Sequence, residues 1–265
     1  YIKLTHNLSM QAQEPPTRGH MRKHANEQGE TLAMVKLWEW ARAWMGKLKP
    51  YNDYFESIAS KIRKENPSSD YVTKKEKELE VMGKLGDHIA EALLKSSNCE
   101  LMARADGWNY IRCGDYYVMV PSSVNEVKEE DREKILKFYE EVDGKLEIKY
   151  RYPDLMYIEV FSGEEIKANK LKEALGLLTE PYITVDIMPP WLDIDFRTHA
   201  YERLWGTLSY LQGSDTIEWY GRDESDEAKN SAVQDVLEHL HELDKAMAGL
   251  LQVFEIGLKG VIESG

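Results

Sequence analysis

The chain has 265 residues, 42% hydrophobic and 31% charged, with a formal net charge of −13. Its length is enough for one large or two small cores. No apolar run approaches the roughly 18 residues of a membrane span, the N-terminus lacks the order of a signal peptide, and the acidic total excludes an overall basic coat for nucleic acid. The expected setting is the cytosol, and the high charged fraction leans towards a heat-adapted protein.

Charge is uneven: residues 1–75 carry +5 and the remaining 190 carry −18. Cys99 and Cys113 have no partners at zinc spacing and read as buried thiols rather than a disulfide framework. The chain starts on Tyr1 and stops at Glu263-Ser264-Gly265, which reads as a piece of a longer protein.

Residues 1–30 are polar and aperiodic, with Pro15-Pro16 and Gly19, and read as an extended arm able to dock a protein partner. From Thr31, Leu32, Val35, Trp38 and Ala41 recur at helical spacing, and Pro50 marks a stop. Trp38, Trp40 and Trp44 read as core. Tyr54, Ile58 and Ile62 indicate a second helix ending at Asn66-Pro67. A third opens at Thr73 and runs through Leu79, Met82, Leu85, Ile89 and Leu93, so residues 31–97 form a helical region.

Beyond Asn98 the period becomes that of strands. Leu101–Arg104, Trp108–Arg112 and Tyr116–Val120, separated by Asp106-Gly107 and Gly114-Asp115, predict a meander. A helix over Glu129–Val142 follows, then strands at Leu146–Tyr150 and Met156–Phe161, a helix over Glu164–Leu178, and strands at Tyr182–Ile187 and Trp191–Phe196. Tyr201–Tyr210 and Ala228–Phe254 read as helices, with Gly213-Ser214-Asp215 and Gly221-Arg222-Asp223 as loops. The expected fold is α+β: the arm, the helical region, and over 98–265 a catalytic-type domain with a mixed or antiparallel sheet flanked by helices.

The most informative stretch is Pro189-Pro190-Trp191-Leu192-Asp193-Ile194-Asp195-Phe196. On a strand, Asp193 and Asp195 project to one face and the apolar residues to the other. Two carboxylates held that close stay ionised most easily beside a hard divalent cation, so the pair predicts a metal site. The plainer reading is an acidic turn capping a helix that begins near Arg197.

The order of elements resembles the approach to the first motif of the archaeo-eukaryotic primase superfamily. The resemblance rests on a strand with Lys149 and Arg151, the helix over Glu164–Leu178, Pro181-Tyr182-Ile183-Thr184-Val185, and then the Asp-x-Asp strand. It covers about residues 145–265, and Asp-x-Asp is its specific match. It implies a primase-polymerase fold and template-directed nucleotidyl transfer, with Asp193 and Asp195 as catalytic residues binding Mg²⁺ or Mn²⁺, and with nucleoside triphosphates and a DNA template as partners. In that family a helix and then a strand entering a Ser-Gly loop follow, and Lys259–Gly265 reads as the approach to that loop. The family's histidine and third carboxylate have no counterpart in the sequence.

Two other readings remain. Glu147-Ile148-Lys149 matches the acid-x-lysine element of metal-dependent nucleases, with Asp115 and Glu78 or Glu80 as further acids. The third is a non-enzymatic acidic interaction or assembly subunit. No histidine pair makes a convincing ligand set: His239 and His241 fall on different helix faces, and His20 and His24 lie in the arm.

Overall fold

A computed structural model of the chain describes residues 32–67, 70–96, 98–143, 145–153, 155–165, 183–189, 191–197, 205–211, 214–220, 233–234 and 236–264. Two helices come first, α1 (Leu32–Glu65) and α2 (Tyr71–Lys95). Strands β1 (Cys99–Ala105), β2 (Trp108–Cys113) and β3 (Tyr116–Pro121) follow, then helix α3 (Glu129–Val142), then β4 (Lys145–Tyr152) and β5 (Met156–Glu165). Strands β6 (Ile183–Met188), β7 (Trp191–Arg197), β8 (Trp205–Leu211) and β9 (Ser214–Tyr220) complete one sheet, and α4 (Leu240–Ser264) ends the chain. The architecture is the expected α+β one: N-terminal helices, a central mixed sheet and flanking helices. The arm over 1–30 lies outside the described residues.

The sheet has nine strands in the order β1-β2-β3-β5-β4-β6-β7-β8-β9. Every pairing is antiparallel except β4 with β6. One face packs Ile111, Val118, Val120, Ile148, Tyr150, Ile158, Val160, Val185 and Ile187 against Leu37, Trp44, Leu48 and Phe55 of α1, Ile89 and Leu93 of α2, and Leu250, Phe254 and Leu258 of α4. On the other face α3 covers a smaller cluster, with Ile135, Phe138 and Val142 against Ala103, Tyr110, Met119 and Phe161. The tryptophans of α1 are core, as expected, and Asp244 Oδ1 accepts from the indole Nε1 of both Trp40 (2.7 Å) and Trp44 (3.0 Å).

Four expectations are corrected. Pro50 does not stop the first helix; α1 is 34 residues long and passes through it. Trp44, Leu48, Tyr51, Phe55 and Ile58 recur every three or four residues across the proline and pack into one core, which offsets the roughly 3 kcal/mol cost of an interior proline. The predicted helix over Glu164–Leu178 begins inside strand β5, which continues to Glu165; 166–182 lie outside the described residues. The predicted helix over Tyr201–Tyr210 is strand β8 from Trp205 onward, and the loop at Ser214-Asp215 opens strand β9.

The cysteines are not free thiols. Cys99 and Cys113 stand opposite each other in the β1–β2 register and form a disulfide. The Asp106-Gly107 turn, with φ of 52° and 81°, sets Ala105 opposite Trp108, a register that continued unbroken brings Cys99 to Gly114. An irregularity between Leu101 and Ala103 shifts the pairing by one and brings Cys99 to Cys113, as a bulge does.

Candidate functional site

Beyond the part that α3 covers, the second face of the sheet turns polar. In the β4–β6–β7–β8–β9 register, one row runs Lys149, Asp186, Asp193, Ser209, Thr216, and its neighbour runs Glu147, Thr184, Asp195, Thr207, Glu218. The row of opposite parity between them runs Ile148, Val185, Ile194, Leu208, Ile217. Ile148, Val185 and Ile187 pack on the helical side, Glu147, Lys149 and Asp186 take the positions of opposite parity, and Asp193 and Asp195 share that parity in the register. The aspartates occupy alternate positions of an interior strand, as the sequence predicts, and they share their rows with Lys149 and Glu147.

The β4–β5–β6 end of these rows is a cluster of ionisable side chains. Glu147, Lys149 and Glu159 are buried, at 1%, 0% and 4% exposure. Lys149 pairs with Glu159 in the β4–β5 register, and its Nζ lies 3.3 Å from Glu147 Oε1. Arg151 and Asp186 form the more open rim, with side chains 38% and 27% exposed and Nε 3.7 Å from Oδ1. The Arg151 guanidinium sits 4.6 Å from the Tyr157 ring centroid, and the Tyr157 hydroxyl donates to Glu159 Oε1.

Burial pushes the Glu147 carboxyl up to about 8; Lys149 pulls against that shift and Glu159 adds to it. Burial alone would lower the Lys149 ammonium, but Glu147, Glu159 and Asp186 outweigh it and the net shift is upward. Glu147 Oε1, Glu159 Oε2, Asp186 Oδ1 and Arg151 Nε are all buried without a hydrogen-bond partner. A strongly shifted carboxyl among unsatisfied polar atoms is a frequent property of working sites.

The sequence missed Glu159 and Asp186. The signal was the same alternation that exposed the aspartate pair: Tyr157-Ile158-Glu159 and Thr184-Val185-Asp186 each place an acid in step with a polar neighbour. The acids nominated beside Glu147 are elsewhere. Asp115 lies in the β2–β3 turn, and Glu78 and Glu80 lie on α2, which packs against the opposite face of the sheet.

The expectation of bound Mg²⁺ or Mn²⁺ is corrected: among the described residues no group of three or more His, Cys, Asp or Glu side chains could hold a metal ion. In the cluster itself, the ammonium and guanidinium occupy the positions between the carboxylates. Two further parts of the primase pattern differ. Strands β8 and β9 follow the aspartate strand in place of the family's helix, although 198–204 lie outside the described residues. Lys259 to Ser264 continue helix α4 instead of opening a strand. No helix among the described residues is long and apolar enough to cross a membrane. No family model, curated protein or solved structure matches the chain.

Proposed function

We propose that the polar rows are the substrate surface of an enzyme acting on nucleotides, and that its reaction is template-directed nucleotidyl transfer of the primase-polymerase kind. The observation that carries this reading is the register itself: Asp193 and Asp195 alternate on an interior strand and fall in line with Lys149, Asp186 and Glu147. The proposal rests on those rows and not on the order of elements, which departs from the family after β7. Arg151, at the open rim, is the described cation placed to meet phosphate charge. The aspartates supply acceptors for the proton of an attacking hydroxyl. A cytosolic setting belongs to the same proposal, and the disulfide then points to a heat-adapted cell, where intracellular disulfides are frequent.

The test is incorporation of labelled nucleotides into a primed DNA template by the wild type and the Asp193→Asn/Asp195→Asn variant, with circular dichroism on both. The reading expects loss on the order of 100-fold or more in a folded variant, the scale of a lost proton acceptor. A folded wild type that incorporates nothing, or a variant as active as the wild type, contradicts it.

A second reading, an assembly subunit without catalysis, is favoured by a different surface. Tyr71, Val72 and Leu79 on α2 are 76%, 63% and 48% exposed, and exposed apolar side chains grouped on one helix are a common mark of an interface. That reading, including a protein partner for the arm over 1–30, expects indifference to Asp193→Asn and a loss of assembly on Tyr71→Ser/Leu79→Ser.

A further inference from the structure

Charges in the buried cluster do not balance when every group is ionised. Arg151 and Asp186 compensate each other at the rim. Inside remain two carboxylates, Glu147 and Glu159, and one ammonium, Lys149, none more than 4% exposed. One negative charge is then left uncompensated in the sheet, and an unpaired buried charge costs several kcal/mol. The hydrogen bonding repeats the imbalance. Tyr157 donates to Glu159 Oε1 and Lys149 Nζ lies 3.3 Å from Glu147 Oε1, while Glu159 Oε2 is a buried acceptor without a hydrogen-bond partner. The β4–β5 register sets Glu147 opposite Phe161 and Lys149 opposite Glu159, so the two glutamates are diagonal neighbours on one face, within reach of long side chains, and two acceptors that meet there repel unless a proton lies between them.

We propose that Glu147 and Glu159 share one proton, which makes the centre of the polar face a proton-binding site that is filled at neutral pH and empties as pH rises. One carboxyl donates its O–H to the other carboxylate, and on emptying the proton leaves to solvent. This inference stands apart from the nucleotide reading.

Among the described residues the pair meets Lys149 and Arg151 from β4, Tyr157 from β5 and Asp186 from β6, with Tyr110 on β2 and Tyr139 on α3 beside it. Burial pushes the Tyr110 phenol up to about 12 and raises those of Tyr139 and Tyr157 well above their ordinary value, so none of these tyrosines charges over the same range. Between the ordinary glutamate range and the raised one, the folded chain holds a proton that the unfolded chain has released. Stability therefore falls as pH rises across that window. The consequence is a sheet that tightens around its polar rows at neutral pH and loosens between β4 and β5 in alkali.

The full chain is compared with Glu147→Gln and Glu159→Gln by infrared spectroscopy of the protonated carboxyl stretch and by thermal melting from pH 5 to 9. The wild type is expected to show a protonated carboxyl at pH 7 that each substitution removes, and a Tm that falls with pH by the equivalent of about one proton. Glu147→Gln, a neutral isostere, is expected to flatten that slope. If the variants do not fold, the wild-type infrared band decides alone. Absence of a protonated carboxyl at pH 7, its persistence in both variants, or an unchanged slope overturns the proposal.

Discussion

Single residues tie the helical layer to the sheet through charge. Asp87 of α2 accepts from the Ser123 amide at 3.1 Å and from Asn109 Nδ2 at 3.0 Å, and it also takes the Ser123 hydroxyl. Burial pushes this carboxyl up, but the hydrogen bonds from Ser123, Ser122 and Asn109 outweigh it and the net shift is downward. The sign is opposite to that of Glu147: Asp87 stabilises the fold above the ordinary aspartate range, and the contribution is lost as pH falls through its lowered value. Asp87→Ala leaves the fully buried Asn109 short of a partner and is expected to cost about 1–3 kcal/mol at neutral pH in denaturant unfolding, with a smaller cost in acid. An equal loss at all pH values would show that the carboxylate charge is not what matters. The sequence could not show this residue's role, because the Asp87 to Ser123 contact joins positions 36 apart. The aspartate pair was legible because its message lies in its own alternation with Leu192, Ile194 and Phe196.

At the scale of elements, the limit of the sequence is set by close approaches and by register. Gly86 lies where α2 crosses β3: a Cβ there would stand 1.9 Å from the Pro121 carbonyl oxygen. Gly86→Ala is therefore expected to push the helix off the sheet, with a loss of about 1–3 kcal/mol or more in chemical denaturation; a neutral result would mean that the crossing is looser than described. Pro50→Ala is expected to stabilise α1, since the helix already passes through that position and the ring removes a hydrogen bond. A lower Tm in that variant would mean that the proline ring contributes to the packing. The span of helix α3 was legible, with Glu129, Glu130 and Asp131 in its first turn, but its inward face was only partly so: Ile135 is buried as its spacing suggests, whereas Leu136 is 49% exposed. The β8–β9 hairpin was not: Leu208 and Tyr210 fit a helix or a strand over so short a run, and only pairing with β7 decides between them. The bulge at Met102 hid the disulfide in the same way, since one extra residue changes which positions meet.

For the whole molecule, a single sheet divides its two faces between packing and polar display, and both halves of that arrangement yield tests. The disulfide closes a loop of sequence separation 14 at the β1 end; Cys99→Ser/Cys113→Ser is expected to cost about 3 kcal/mol by loop entropy, read as a lower Tm unaffected by added reductant. A variant as stable as the oxidised wild type would show that the bridge does not constrain the unfolded chain. At the other end, the α+β class and the alternation of β7 were readable from the amino acids, whereas Asp186 joins Glu147, Lys149 and Glu159 only through the parallel β4–β6 pairing, which no local pattern announces. The most direct test of the account is amide chemical-shift mapping of the full chain on titration with a nucleoside triphosphate. Shifts centred on β4, β6 and β7, and lost in Asp193→Asn, are what the account predicts. No shifts, or shifts confined to the exposed turns of α2, would contradict the assignment of the polar rows as the substrate surface.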